Sequence, residues 1–571
     1  MRWLSWCMLL ALTAGQANEN QGVLRGKVTR AGTAEAISEV QIVLVGPLVG
    51  PAANAAVSNP LMLLEIAEGS GTPRFGSVTP ADGSFVFRNL PPGQYSIRAQ
   101  REGYFSAAAA AGSPGLRSVA TASLTVSGSS TTDMDLKMVK SATISGRVLN
   151  SEGKPVANLP VTAYQVSYGN GVEMLESANR GATDDRGQYR MYAMPPGEYY
   201  IGAGAVPRQG GSPFVSAING NEPCCTLFSP GVPDARAATL LTLAEGAEIL
   251  NTDIDLRGLL TFKVSGQLTT VPAGLDAARA VSNFNLLSRE AGALTSPLMT
   301  TFPSTLKPDG SFEINNVPPG SYELAATITD ASSQLLNGRI PIEVGTRDLE
   351  GVRIPIHPAA EVRIRIFLDG NLQSARSPVR AQLMSMEKSA AILSAVGASG
   401  PIVDSTGALV VSNVPEGSYS VRVGAVPPNS YISDIRQGGI SIYDNGLVVS
   451  SSVPEPVDVL LSAGAQSIRG KTHGSDGKPM ASATVVLVPP SARRRNAQMY
   501  RTIRADRNGE FSLANVAPGE YKVFAWENVP NTAYMNAAFL EKYESRGLPI
   551  TVSPGNNLNV DVNVIPAEPI R

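Results

Sequence analysis

The segment Asp309-Gly310-Ser311-Phe312, followed six residues on by Pro318-Pro319-Gly320-Ser321-Tyr322, decides the reading of this sequence because its pattern occurs five times. The other copies are Asp82-Gly83-Ser84-Phe85 with Pro91-Pro92-Gly93-Gln94-Tyr95, Asp185-Arg186-Gly187-Gln188-Tyr189 with Pro195-Pro196-Gly197-Glu198-Tyr199, Thr406-Gly407-Ala408-Leu409 with Pro415-Glu416-Gly417-Ser418-Tyr419, and Asn508-Gly509-Glu510-Phe511 with Ala517-Pro518-Gly519-Glu520-Tyr521. In every copy the two glycines stand ten residues apart and the tyrosine follows the second by two. Asp-Gly and Asn-Gly are tight-turn signals, since glycine takes the positive φ that such turns need. A strand follows in which Phe312 and Ile314 alternate with Glu313 and Asn315. Pro319-Gly320 suits the central pair of a type II turn, proline presetting φ and glycine supplying φ > 0. A second strand then begins at Tyr322. It is placed like the tyrosine corner of a β-sandwich, whose hydroxyl satisfies a backbone group while the ring enters the core. The five tyrosines therefore read as structural, not catalytic.

Composition agrees with an all-β array. The chain has 571 residues, too many for one core, and units of roughly 100 residues are ordinary small sandwiches. Gly 55 and Pro 42, with aromatics at 6% and charged residues at 16%, suit many short strands joined by tight turns. A net charge of -2 gives no overall attraction to nucleic acid or to an anionic membrane.

In chain order, Met1-Arg2, the apolar run Trp3 to Ala14 and Gly15-Gln16-Ala17 read as a secretory signal peptide cleaved after Ala17. The run is too short for a permanent anchor, and no later stretch reaches 18 consecutive apolar residues. Export follows, to the periplasm, the cell surface or the medium. Cys7 lies inside the apolar run, so the adjacent Cys224 and Cys225 remain, free, vicinally bridged or used between molecules. His357 and His473 are far from them in sequence, so neither zinc nor another cofactor is expected.

Opening strands are expected at Leu24-Arg25-Gly26-Lys27-Val28, Ile144-Ser145-Gly146-Arg147-Val148, Val264-Ser265-Gly266-Gln267-Leu268 and Ile468-Arg469-Gly470-Lys471-Thr472. Repeat four departs, with Val362-Arg363-Ile364-Arg365-Ile366 and no glycine. Closing strands are expected over 132–138, 252–256, 349–356, 456–461 and 558–564. The division is a signal peptide over 1–17 and sandwiches over 18–140, with an insertion at 47–73 carrying one helical turn at 61–68, then 141–257, 258–357, 358–463 and 464–571. Linkers of a few residues imply a semi-rigid, extended string of units.

This order of motifs resembles the carboxypeptidase regulatory-like domain, a transthyretin-like Greek-key β-sandwich grouped with the carbohydrate-binding-like fold. The resemblance covers essentially the whole mature chain and implies sugar or surface binding as a class. The metallocarboxypeptidase activity of that name belongs to a separate zinc domain, for which this chain has neither the room nor the histidines. The related collagen-adhesin B-type modules often carry an isopeptide crosslink from an opening-strand lysine. Lys27 and Lys471 sit near that place, but Arg147 and Gln267 replace it elsewhere and no acidic partner is recognisable.

Other motifs favour plain structure. Asp506 to Glu510 reads as a turn, not a calcium loop, and Arg493-Arg494-Arg495 as a solvated basic run in a loop, with polyanion contact as the alternative. Repeat five carries the one sharp site candidate. After Tyr521, alternation sends Val523 and Ala525 to the core and Lys522, Phe524 and Trp526 to the opposite face. Phe524 and Trp526 are the candidate ligand-binding residues, because exposed flat rings stack on sugars. The competing reading is that 532–545, with Tyr534, Phe539, Leu540 and Tyr543 at roughly helical spacing, forms a short helix and covers them. The sequence thus indicates an exported, non-enzymatic tandem array, binding a glycan or cell-envelope component, or else a structural spacer, adhesin stalk or accessory subunit of an exported enzyme.

Overall fold

The computed structural model describes residues 21–48, 73–106, 120–128, 130–150, 152–204, 226–256, 260–289, 304–330, 332–369, 371–372, 379–386, 402–403, 408–450, 454–554 and 557–567. The expected signal peptide, the helical turn at 61–68, Cys7, Cys224 and Cys225 lie outside these residues.

The protein is a tandem array of β-sandwiches, and repeat three shows how the sequence builds one. Lys307 and Ser311 close the Asp-Gly turn, Ser311 O accepting from Lys307 N at 2.8 Å with Gly310 at φ 83°. Asp309 Oδ1 accepts from the Ser311 amide at 2.9 Å and from its hydroxyl at 2.6 Å. The hairpin so formed pairs Ser304–Leu306 with Ser311–Val317. Ser311–Val317 then pairs with the opening strand Phe262–Thr269, which runs parallel to the closing strand Leu349–Pro355. The facing sheet is Val281–Ser288, Gly320–Thr329, Leu335–Val344 and His357–Pro358, in that order. Ser311–Val317 pairs with Phe262–Thr269 across the intervening Val281–Ser288, and Val281–Ser288 pairs with Gly320–Thr329 across Ser311–Val317, the non-sequential pairing of a Greek-key path. Between the sheets Phe284 and Phe312 meet edge to face at 5.2 Å, with Val264, Ile314, Leu324 and Ile328 almost wholly buried around them.

The corner differs from the type II turn that Pro-Gly suggests. Gly320 has φ 157°, far from the +80° of that turn, and the left-handed residue is Asn316 at φ 61°. Asn89, Ala193, Asn413 and Asn515, each four residues before the corner glycine, have φ between 55° and 59°. In the ladder this residue is an insertion: Val264 faces Ile314 but Phe262 faces Val317, so the alternation changes phase and Val317 returns to the core. The tyrosine corners form as expected. Tyr95, Tyr322, Tyr419 and Tyr521 donate to the carbonyls of Pro91, Pro318, Pro415 and Ala517 at 2.7, 3.0, 3.0 and 3.1 Å.

The opening-strand glycine has a steric cause. A Cβ on Gly26, Gly146, Gly266 or Gly470 would lie 1.8, 2.1, 1.9 or 1.6 Å from the carbonyl oxygen of Met134, Thr252, Val352 or Val560 in the closing strand. In repeats one, two and five the closing strand is split at this point. An aspartate beyond the break, Asp135, Asp253 or Asp561, accepts the amide of Lys27, Arg147 or Lys471 at 2.8–3.0 Å. In repeat four Ile364–Leu368 pairs with Val457–Leu461 without a shift, and isoleucine replaces glycine.

By its contacts the chain forms two compact units, one of Met1–Ala142 with Ala193–Pro196 and Ala244–Ala247, the other of the remaining residues. Within the second, a long hairpin of repeat two, Pro160–Gly169 with Val172–Ala182, meets repeat five. Thr532 Oγ1 donates to Tyr168 O at 3.0 Å, Asn536 Nδ2 donates to Gly171 O at 2.9 Å, and Tyr168 meets Phe539 edge-on at 5.8 Å. Contacts are therefore not confined to neighbouring repeats, as a simple string of units would require.

Candidate functional site at the repeat joints

Phe524 and Trp526 leave the corner strand Gly519–Trp526 on the face opposite Tyr521, Val523 and Ala525, as alternation dictates. That face is covered. Ala533–Met535 and Glu544–Arg546 form single 3-10 turns around a short helix, Ala537–Glu541, capped by Asn536 Oδ1 accepting from Phe539 N. Phe524 is 0% and Trp526 1% exposed. The two rings stack at 5.1 Å, and Tyr534 and Tyr543 close over the indole at 6.4 and 6.0 Å. Neither candidate ring presents a face to a sugar, because the helical segment, Val486, Val488 and Ile565 give this sheet a second core.

The polar chemistry lies instead where repeats meet. Repeat four has Glu416 at the corner position where every other copy has proline. Glutamate keeps the backbone N–H that proline lacks, and it donates to Asn337 Oδ1 of repeat three at 3.0 Å. Asn337 is 1% exposed, Arg339 Nη1 donates to Glu416 O at 3.1 Å, and Leu335 N donates to Asn413 Oδ1 at 3.3 Å. Arg339 is in turn paired with Glu323.

Between repeats four and five, Arg493 forks onto Asp444 at 2.9 and 3.1 Å and lies 5.2 Å over the Tyr443 ring. Asn496 Nδ2 donates to Tyr443 O and to Asp444 Oδ1, while its own Oδ1 accepts from Gln498 N. Gln498 reaches across, accepting from Val423 N at 2.7 Å and donating to Val421 O. Burial raises the Tyr443 hydroxyl to about 12. Arg494 forks onto Glu544 at 2.9 and 3.0 Å, and Lys522 joins it at 2.7 Å. The Arg494 guanidinium, with Lys522, holds the Glu544 carboxyl at about 2. Two arginines of the basic run are thus committed to ion pairs instead of standing free in solvent.

Beside this joint is a cavity of about 340 Å³ lined by Arg422, Tyr431, Gln498, Tyr500, Arg501 and Asn515 among others, with no carboxylate in its lining. Arg501 is fixed by the carbonyls of Gln498, Tyr500 and Asn515.

The remaining candidates stay apart. His473 Nδ1 is 3.2 Å from Gly477 O and its Nε2 3.5 Å from Asp561, whereas His357 pairs through its backbone with Asn337. Among the described residues no group of three His, Cys, Asp or Glu side chains could hold a metal. None of the helices described is long and apolar enough to cross a membrane. Asp506 Oδ1 accepts from the amides of Asn508 and Glu510, a turn, and Lys471 pairs with Glu510 at 3.1 Å. The joints escape sequence reasoning because their partners lie about 50 to 80 residues apart. The substitution of proline by Glu416 is the signal that points to one of them.

No protein-family model and no curated protein matches the chain. Among solved structures it is similar to the Bacillus anthracis TIE protein, at 16% identity and TM-score 0.16 over 59% of this chain and 51% of that one, so it spans about half that protein's length. It is also similar to the minor pilin GBS52 of Streptococcus agalactiae, at 16% identity and TM-score 0.22 over 41% and 94% of the two chains. The shaft pilin SpaA of Lactobacillus rhamnosus GG aligns at 12% identity and TM-score 0.18 over 42% and 99%.

Proposed function

We propose that the protein is an exported, non-enzymatic surface-interaction array of carboxypeptidase regulatory-like sandwiches. Their boundaries are 18–140, 141–257, 258–357, 358–463 and 464–571, and they serve to hold binding surfaces at fixed mutual orientation toward a glycan or another cell-envelope component. The observation that carries this reading is the Asp444, Arg493, Asn496 and Gln498 network across the fourth and fifth repeats. Side chains that bond a neighbour's backbone across a joint fix an angle, whereas a joint used for motion keeps its interface small and solvated. The burial of Phe524 and Trp526 favours a supporting role for the outer face of repeat five, as in a stalk, over a sugar platform there.

Limited proteolysis across 463–466, between the closing strand Val457–Ala463 and the opening strand Gln466–His473, tests the reading. Asp444→Ala leaves Arg493 unpaired and should raise the cleavage rate there severalfold, while the unfolding of repeat five, followed by Trp526, is unchanged. Equal cleavage of parent and variant would show that the joint is not held by this network and would remove the basis of the proposal.

A further inference from the structure

The cavity beside the joint of repeats four and five has features that joint rigidity does not need. Arg422 and Arg501 both line it, and no aspartate or glutamate does. Arg501 is held by three backbone carbonyls, so its side-chain freedom is already lost before any ligand arrives. Arg422 is exposed on the strand Gly417–Gly424 and is free to close on a bound group. A guanidinium offers a planar fork that fits carboxylate and sulfate oxygens, and two of them around one space leave positive charge uncompensated. Tyr431 and Asn515 complete a lining able to meet hydroxyl groups. At about 340 Å³ the cavity lies at the small end of ligand sites, which run from roughly 300 to 1,000 Å³, and suits one sugar ring better than a drug-sized molecule.

We propose that this cavity binds an acidic sugar residue, with Arg501 as the fixed anchor and Arg422 as the adjustable one. The inference rests on the surface-interaction reading for its choice of a saccharide, and it places the ligand at a joint instead of on the aromatic pair of repeat five. Because the walls come from two repeats, occupancy also braces the joint, by the linkage that favours whichever state binds ligand.

The test is calorimetric titration of the full-length protein at low ionic strength with trigalacturonate, its fully methyl-esterified form, a sulfated galactose trisaccharide and triglutamate. Binding of trigalacturonate or the sulfated sugar, weakened at least tenfold by methyl esterification and by Arg422→Glu and severalfold by Arg422→Gln, supports the site. Which of the two sugars binds identifies the anion as carboxylate or sulfate. Arg422 is exposed, so its variants should fold, and thermal unfolding followed by circular dichroism, which reads every repeat, checks that they do. Equal binding of the methyl ester, equal binding of triglutamate, unchanged affinity in Arg422→Glu, or absence of binding at millimolar sugar each overturns the proposal. The proteolysis of 463–466 in the absence of sugar does not depend on the cavity, so failure here is distinguishable from failure of the rigid-joint reading.

Discussion

Replacing Gly470 by alanine tests the packing that links the repeated sequence to its fold. The added Cβ would stand 1.6 Å from Val560 O, and that atom is backbone, so the closing strand must move away. Movement puts two hydrogen bonds at risk, Val560 N to Arg469 O at 2.8 Å and Lys471 N to Asp561 Oδ1 at 3.0 Å, at about 1 kcal/mol each. It also loosens Val562 and Val564, which are 3% and 5% exposed in the core, for about 1–2 kcal/mol more. The lower chain entropy of unfolded alanine returns about 0.4–1 kcal/mol. The expected net loss is about 3 kcal/mol. Gly477→Ala is the control, since its φ of 75° resists a side chain but nothing lies within 4 Å of the new Cβ, so the cost is about 1–2 kcal/mol. Denaturant unfolding is followed by tryptophan fluorescence on protein lacking residues 1–17, which carry Trp3 and Trp6, so that Trp526 reports repeat five. If Gly470→Ala unfolds at the same denaturant concentration as the parent, or no earlier than Gly477→Ala, the close-approach explanation of the repeated glycine is refuted.

Leu540, 1% exposed beneath the helical segment, should when changed to alanine cost about 2–5 kcal/mol and shift Trp526 emission to the red; unchanged emission would mean the segment does not seal the indole. Acid should weaken repeat five. The folded-state carboxyl of Glu544 is held at about 2 against an ordinary 4.5, so its contribution is complete above pH 4.5 and disappears as pH falls toward 2. With the side chain 37% exposed, screening reduces this to about 1 kcal/mol, and Glu544→Gln should remove that part of the stability difference between pH 6 and pH 2.5.

Much of each sandwich was legible because it is written locally. Asp309-Gly310 specifies its turn through glycine's left-handed freedom and the aspartate's reach to Ser311, and the tyrosine corner needs only Tyr322 and a carbonyl four residues earlier. The alternation after Tyr521 placed Phe524 and Trp526 on the outer face, and the spacing from Tyr534 to Tyr543 marked a short helix. Pro-Gly points to the wrong place for the corner because the left-handed residue precedes the glycine by four, and asparagine at that offset in four of the five copies carries the signal. Local pattern could not decide what covers a face, which depends on segments brought together by the whole chain. Only the tertiary structure buries Trp526, opposes Gly470 to Val560 O, gives the Glu416 amide to Asn337 and sets Arg422 and Arg501 around one cavity. Hydrogen-bond geometry within a few residues is fixed by residue type, whereas contacts about 50 to 370 residues apart depend on how finished sandwiches dock.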